Sequence, residues 1–153
     1  MSSVFAYLTR FAVILFGYVV ASLAAAAFLN LLLLGAVGFA EEAPADAVTM
    51  SVAVTAPFLA MLVAYYAFVP AMAVILVSEI LGKRDWLFHA IGGAGVALCV
   101  IVLSFMGLEG PLAGDGYSFV AAVIGAGIVG GIAYWLVAGR SAGRGLERVA
   151  DPD

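Results

Sequence analysis

Glu79 is the one charged residue in the apolar run from Val48 to Ile80 of this 153-residue chain. A carboxylate within a membrane span is typical of a proton relay or a cation site, since ionisable groups are otherwise costly there. Glu79 also precedes Lys83 by four residues, the order in which an ion pair stabilises one helix face. An exposed pair of this kind contributes at most about 1 kcal/mol. We therefore predict an interfacial pair of Glu79 with Lys83, with a transport role for Glu79 as the alternative.

Two further polar side chains fall within apolar runs, Asn30 in the first and His89 in the third. A lone imidazole cannot supply both axial ligands of a bis-histidine haem, and no Cys–His or acid cluster suits zinc. We expect His89 to hydrogen-bond another helix or a lipid headgroup, the alternatives being catalysis and pH sensing. For Asn30 we expect a hydrogen bond to another helix or to water near the membrane boundary.

The sequence contains no nucleophile–base pair, no phosphate-binding loop and no paired acids at catalytic spacing. We therefore predict that the protein is not an enzyme and that it has no cofactor and no metal site. Three arginines after the last apolar run are too few for the basic stripe that nucleic acid requires. The predicted partners are the lipid bilayer and either another membrane protein or further copies of this chain.

Small residues dominate the fourth apolar run and recur early in the third. They let helix backbones approach closely, which drives association in lipid, where burying large apolar side chains brings no gain. Gly127 and Gly131 form a GxxxG pair, and Ala122, Ala126 and Gly130 form a second ridge. Packing within the chain is the default for both ridges, and contact of one ridge with a second protein or a second copy is the alternative. The candidate packing positions are Gly92, Gly93, Gly127, Gly130 and Gly131.

The polar candidates Asn30, Glu79 and His89 and the candidate packing glycines lie on four apolar runs that we predict to be transmembrane helices. The chain is 66% apolar and 10% charged, with a mean hydropathy of +1.21. A soluble domain of this length needs more charge to cover its surface. A helix crosses the hydrocarbon core with about 20 residues, and each run is at least that long. The predicted spans cover about 11–38, 50–80, 86–107 and 117–138, and a tail runs from 139 to 153.

The basic residues predict the orientation of these spans. All six fall before the first run, between the second and third, or after the fourth, whereas the other two connections carry only acids. Lys and Arg are retained on the cytoplasmic side during insertion. We therefore predict an all-α polytopic membrane protein whose four helices form two hairpins, with both termini cytoplasmic. Tyr134 and Trp135, close to Arg140, are predicted to lie in the aromatic belt of that interface. The basic positions are Arg10, Lys83, Arg84, Arg140, Arg144 and Arg148.

The first two runs are longer than a membrane requires, and three explanations compete. The helices tilt, or the second one kinks or breaks at Pro57 or Pro70, or segments 31–40 and 48–57 form an apolar hairpin beyond the bilayer. Tilt is the simplest of the three. Cleavage after Gly38-Phe39-Ala40, as in a secretory signal, is a further alternative for the first run. Because that run is about twice as long as the apolar part of a signal, we expect it to remain.

Two stretches, 86–93 (WLFHAIGG) and 133–144 (AYWLVAGRSAGR), resemble small four-span inner-membrane proteins of alphaproteobacteria that carry no assigned function. The resemblance implies four helices and a bacterial inner membrane, and it transfers no functional residue. We predict a non-enzymatic inner-membrane protein that acts as an accessory or assembly partner of a larger membrane system. The alternative is a subunit of a small oligomeric transporter or channel that works around Glu79 and His89.

Overall fold

The computed structural model describes residues 2–36, 44–107 and 117–142, which form helices and one connection, at 81–85, and contain no strand. The helices are α1 (Ser2–Ala36), α2 (Ala45–Ile80), α3 (Trp86–Gly107) and α4 (Tyr117–Val137), followed by a 3-10 turn (Gly139–Ser141). All four α-helices are long and apolar enough to cross a membrane. Residue 1 and residues 37–43, 108–116 and 143–153, including the three C-terminal acids and two of the arginines, lie outside the described residues.

The helix bounds differ from the predicted spans mainly in the first half of the chain. α3 occupies the range predicted from the sequence, and α4 ends one residue earlier than predicted. α1 and α2 begin several residues before their predicted starts, at Ser2 and Ala45. α2 continues through Pro57 and Pro70 as one helix, so a break at either proline is wrong.

Each helix packs against its neighbours in the chain, and α4 also packs against α1, which closes a ring of four helices. α1 and α2 run in opposite directions, because Arg10 contacts Glu79 and Asn30 contacts Thr55. The contacts of α4 with α3 and with α1 are the most extensive, and those between α2 and α3 are the least extensive of the four. We call the end of the bundle that contains Arg10, Glu79, His89 and Ser141 the polar end, and the opposite end the far end.

Small residues fill the centre of the bundle, and large apolar side chains point outward. Phe16, Phe58 and Val69, for example, have relative exposures of 63%, 68% and 76%. This arrangement inverts that of a soluble domain and suits lipid, because close backbone approach is what stabilises helix contacts there. The buried alanines are Ala25, Ala26, Ala56, Ala60, Ala90, Ala97, Ala126, Ala138 and Ala142.

The described parts of α1 and α4 reach the same level at the far end of the bundle. Phe28 lies against Gly125, where an added Cβ would come within 3.1 Å of the phenyl ring. Ala36 lies eight residues beyond Phe28, and Tyr117 lies eight residues before Gly125. With an equal rise of about 1.5 Å per residue, the described parts of both helices reach the same height. The described part of α1 is therefore longer than that of α4 at the polar end. Residues 37–40 of the predicted apolar hairpin lie outside the described residues, so that hairpin stays a prediction.

A glycine ends α2 at the polar end. Gly82 adopts a φ of 58°, in the left-handed region that glycine favours. The Lys83 N–H donates to the Ser78 carbonyl at 2.9 Å and the Gly82 N–H donates to the Glu79 carbonyl at 3.3 Å, as in a Schellman cap. Lys83 therefore lies past the end of the helix and does not share a helix face with Glu79.

Candidate functional site

Arg10 and Glu79 form a two-pronged ion pair between α1 and α2. The Arg10 Nε donates to Glu79 Oε2 at 3.2 Å, and its Nη2 donates to Glu79 Oε1. The two side chains are only 15% and 17% exposed. The planar guanidinium matches the carboxylate with two parallel bonds, which fixes the geometry as well as balancing the charge. It is the one salt bridge among residues 2–36, 44–107 and 117–142.

Arg10 also holds the end of α4. Its Nη1 donates to Ser141 Oγ at 2.6 Å and to the Ala138 carbonyl at 3.2 Å, and its Nη2 reaches the same carbonyl at 3.3 Å. The last carbonyls of a helix have no partner within the helix and carry the negative end of its dipole. One guanidinium therefore joins α1, α2 and the 3-10 turn after α4.

The predicted partner of Glu79 is corrected by this geometry. Glu79 pairs with Arg10 of α1, whereas the sequence favoured Lys83 four residues later. The four-residue rule applies only within a continuous helix. Because the cap at Gly82 ends α2 between the two residues, the rule does not apply here. In the sequence, Arg10 indicates only the orientation of the first span.

His89 and Tyr134 stack on each other inside the polar end. Their ring centroids are 5.7 Å apart with an interplanar angle of 28°, and the residues are 3% and 5% exposed. His89 Nδ1 donates to the Asp85 carbonyl at 2.8 Å, one turn back along the chain. The expected bond of His89 to another helix or a headgroup is thus replaced by a local one. Tyr134 is buried and does not lie in an aromatic belt, which corrects that prediction.

Two buried polar atoms in the described part of the chain have no hydrogen-bond partner, His89 Nε2 and Tyr134 Oη. With its proton on Nδ1, a neutral His89 presents an acceptor lone pair at Nε2. That nitrogen faces Gly139, where an added Cβ would lie 2.8 Å away, so a residue with a side chain cannot stand there unchanged. Tyr134 also lies within electrostatic range of Glu79 and Arg10. The polar end thus gathers one chemistry-bearing side chain from each helix.

The connection between α2 and α3 is tied to the end of α4 by a second set of contacts. Trp135 Nε1 donates to the Arg84 carbonyl at 2.7 Å. The Arg140 guanidinium lies 4.4 Å above the Trp135 ring, a cation–π contact. Arg84 Nε donates to the Ala142 carbonyl at 2.9 Å. These contacts place Lys83, Arg84 and Arg140 at the same end of the bundle as Arg10.

Asn30 lies apart from this network, toward the far end. Its Nδ2 donates to Thr55 Oγ1 of α2, and the Thr55 hydroxyl in turn donates to the Ser51 carbonyl at 2.7 Å. Asn30 is 7% exposed. Of the two partners that the sequence left open, another helix or water, the structure has the hydrogen bond to another helix. Of the three polar candidates, it brings Glu79 and His89 together and leaves Asn30 separate.

The two small-residue ridges of α4 contact two different helices of the same chain. Gly127 and Gly131 meet α3 backbone to backbone, at Gly93 and at the His89 carbonyl, and an added Cβ at either position would overlap those atoms. Gly130, on the second ridge, faces α1, where an added Cβ would lie 3.2 Å from the Ala21 carbonyl. Gly92 packs toward Val74 of α2. Both ridges are thus occupied without a second protein.

No protein-family model, no curated protein and no solved structure matches the chain. Within the described ranges, no three His, Cys, Asp or Glu side chains come together as a metal site would need. The chemistry that the polar end offers is ion pairing, hydrogen bonding and proton binding.

Proposed function

We propose that the chain is a non-enzymatic integral protein of a bacterial inner membrane, acting as an accessory or assembly partner of a larger membrane system. The observation that supports this proposal is that the charged groups of the polar end contact other helices of the same chain. Arg10 engages Glu79, Ser141 and the Ala138 carbonyl at once, so these groups join the chain's own helices. A side chain committed in this way is not free to bind a substrate. The small residues likewise pack the chain's own helices together, and the large apolar side chains are exposed on the outer surface of the bundle.

The outer face of α2 supports contact with another membrane protein. Six large side chains recur along it at spacings of three or four residues, which places them on one face. Each is more than half exposed, and two of them are methionines, which adapt to varied partner surfaces. This outer stripe of α2 consists of Met50, Val54, Phe58, Met61, Tyr65 and Val69.

The orientation follows from the charges. We place the polar end in the cytoplasm, because the basic residues of the described ranges, Arg10, Lys83, Arg84 and Arg140, meet there, and basic residues are retained on that side. The four helices then form two hairpins with both termini inside. In a Cys99→Ala background, a membrane-impermeant maleimide should label Asp46→Cys in intact cells and label Asp85→Cys only after the membrane is opened. The reverse pattern overturns this orientation.

The accessory role is tested by photo-cross-linking in the native membrane. A photoreactive residue at Phe58, on the outer stripe of α2, should cross-link the chain to one membrane protein. The product should then have a single, reproducible mass. The matched control is the same residue at Phe16, which is similarly exposed but lies on α1. If Phe58 gives the same diffuse lipid adducts as Phe16, the accessory role is wrong. A product of twice the chain's mass points to a homo-oligomer.

A second function, a subunit of a small oligomeric transporter or channel, is supported by one observation. His89 Nε2 and Tyr134 Oη are buried without partners beside the Arg10–Glu79 pair, and buried ionisable groups of this kind occur in proton relays. The test is proton flux into liposomes that contain the purified protein. Proton flux that is abolished by Glu79→Gln supports the transport function. Wild-type flux equal to that of empty liposomes contradicts it.

A further inference from the structure

An apolar groove separates α2 and α3 on the outer surface of the bundle. Its volume is about 350 Å³, and every residue that lines it is apolar. The two helices contact each other within this lining, where an added Cβ at Gly92 would lie 2.6 Å from Val74 Cγ1. The lining residues are Ala73, Val74 and Val77 of α2, and Phe88, Ile91 and Gly92 of α3.

The groove runs toward the connection between the two helices at the polar end. Val77 is three residues from the end of α2, and Phe88 is two residues from the start of α3. The connection carries two exposed bases and one exposed acid, Lys83, Arg84 and Asp85. Among the described residues, the Lys83 ammonium has no hydrogen bond or ion pair, whereas Arg84 is held by the Ala142 carbonyl. The connection that joins the two helices of the groove therefore presents an exposed ammonium, that of Lys83.

We propose that this groove binds one acyl chain of an anionic phospholipid, whose phosphate is held by Lys83. Water is a poor occupant, because a groove without polar atoms offers it no hydrogen bonds. A hydrocarbon chain matches the lining, and a lysine ammonium is a common binder of phosphate. Trp86, at the start of α3, is half exposed, and tryptophan is a residue type that contacts headgroups at membrane interfaces.

Charge favours an anionic lipid over a protein helix as the occupant. The headgroup of an anionic phospholipid complements the exposed Lys83 in the connection next to the groove, whereas an apolar helix packed on the same lining would bring no negative charge to it. Lys83 then selects among lipids by headgroup charge.

The experiment is native mass spectrometry of the delipidated protein in detergent, with phosphatidylglycerol or phosphatidylcholine added at equal concentration. The wild type should retain one phosphatidylglycerol with about fivefold preference, which corresponds to about 1 kcal/mol for one basic residue near an anionic headgroup. Lys83→Gln should lose the preference and still bind either lipid, and Lys83→Arg should keep it. Ala73→Leu, which fills the groove, should lose both lipids.

The matched control for the groove is Ala53→Leu, the same change at another exposed alanine of α2 outside the lining. It should bind lipid as the wild type does. Thermal unfolding of each variant checks that Ala73→Leu is folded, as expected for an exposed position. If folded Ala73→Leu retains phosphatidylglycerol like Ala53→Leu, the acyl chain does not lie in the groove. If Lys83→Gln keeps the headgroup preference, Lys83 does not hold the phosphate.

Discussion

The α3–α4 contact and the α1–α2 contact hold helices together by different means. Between α3 and α4, Gly93 and Gly127 bring the two backbones into direct contact. Between α1 and α2, side chains make hydrogen bonds across the gap: Arg10 with Glu79, and Tyr18 Oη with the Ala64 carbonyl at 2.5 Å. A third bond joins Asn30 to Thr55. One pair therefore depends on shape and the other on polar groups.

The difference follows from composition. α2 has no glycine between Ala45 and Ile80, so its backbone cannot approach a neighbour as α3 and α4 approach each other. Lipid is as apolar as leucine, and burying large side chains between helices brings little gain there. The α1–α2 contact therefore adds hydrogen bonds between polar groups to the packing of its buried alanines, and each such bond in a membrane contributes about 0.6 kcal/mol on average. We expect substitutions at the glycine contact to have the larger effects.

The largest expected loss of stability is that of Gly127→Leu. An ideal Cβ at this position already overlaps the Gly93 carbonyl and lies 2.8 Å from the Ala97 Cβ, so the helices must separate. We expect a loss of about 3 kcal/mol in the free energy of unfolding, at the upper end of overpacking costs. Insertion should be normal, because leucine favours the membrane more than glycine does. The measurement is denaturant unfolding in detergent micelles.

The control for this substitution is Gly95→Leu on α3. Nothing lies within 4 Å of an added Cβ at Gly95, so its leucine points into open space. Its stability should equal that of the wild type or exceed it slightly, since glycine is a poor helix former. Equal losses in both variants would mean that α3 and α4 do not meet through glycine.

The next prediction concerns the Arg10–Glu79 pair. A double-mutant cycle with Arg10→Met and Glu79→Gln should give a coupling energy of about 2 kcal/mol. This lies between the values for exposed and for buried pairs, because both side chains keep about a sixth of their exposure. Lys83→Gln should leave stability unchanged. A coupling between Glu79 and Lys83 as large as that with Arg10 would restore the local pair that the sequence suggested.

These two contacts also show what the sequence could and could not predict. The glycine ridges of α4 repeat at helical spacing, so their packing role was visible from the sequence. The Arg10–Glu79 pair joins residues 69 positions apart, and the sequence does not say which helices are neighbours. Gly82 did carry a usable signal, because a glycine three residues after Glu79 marks a helix end. The burial of Tyr134 depends on which face of α4 meets α1, which no spacing reveals.

Loss of the hydroxyl should change the free energy of unfolding differently at two tyrosines, Tyr18 and Tyr134. Tyr18→Phe removes a hydrogen bond to the Ala64 carbonyl and should cost about 1 kcal/mol. Tyr134→Phe removes a buried hydroxyl that has no partner, so it should leave stability unchanged or raise it by up to about 1 kcal/mol. Both are measured by unfolding in the same detergent. A loss in Tyr134→Phe as large as that in Tyr18→Phe would show that its hydroxyl is bonded.

The smallest expected effect is at Asn30, where the two partners should respond unequally. Asn30→Leu removes the donor, but the Thr55 hydroxyl still donates to the Ser51 carbonyl at 2.7 Å, so nothing is left unpaired. The cost should be about 0.6 kcal/mol, the average for such bonds in membranes. Thr55→Val removes the acceptor, so the Nδ2 donor of the buried Asn30 is left without a partner. That change should cost about 1 kcal/mol, because an unpaired buried donor keeps its desolvation penalty. Equal losses, or a larger loss at Asn30, would mean that Asn30 stabilises the bundle through contacts other than Thr55.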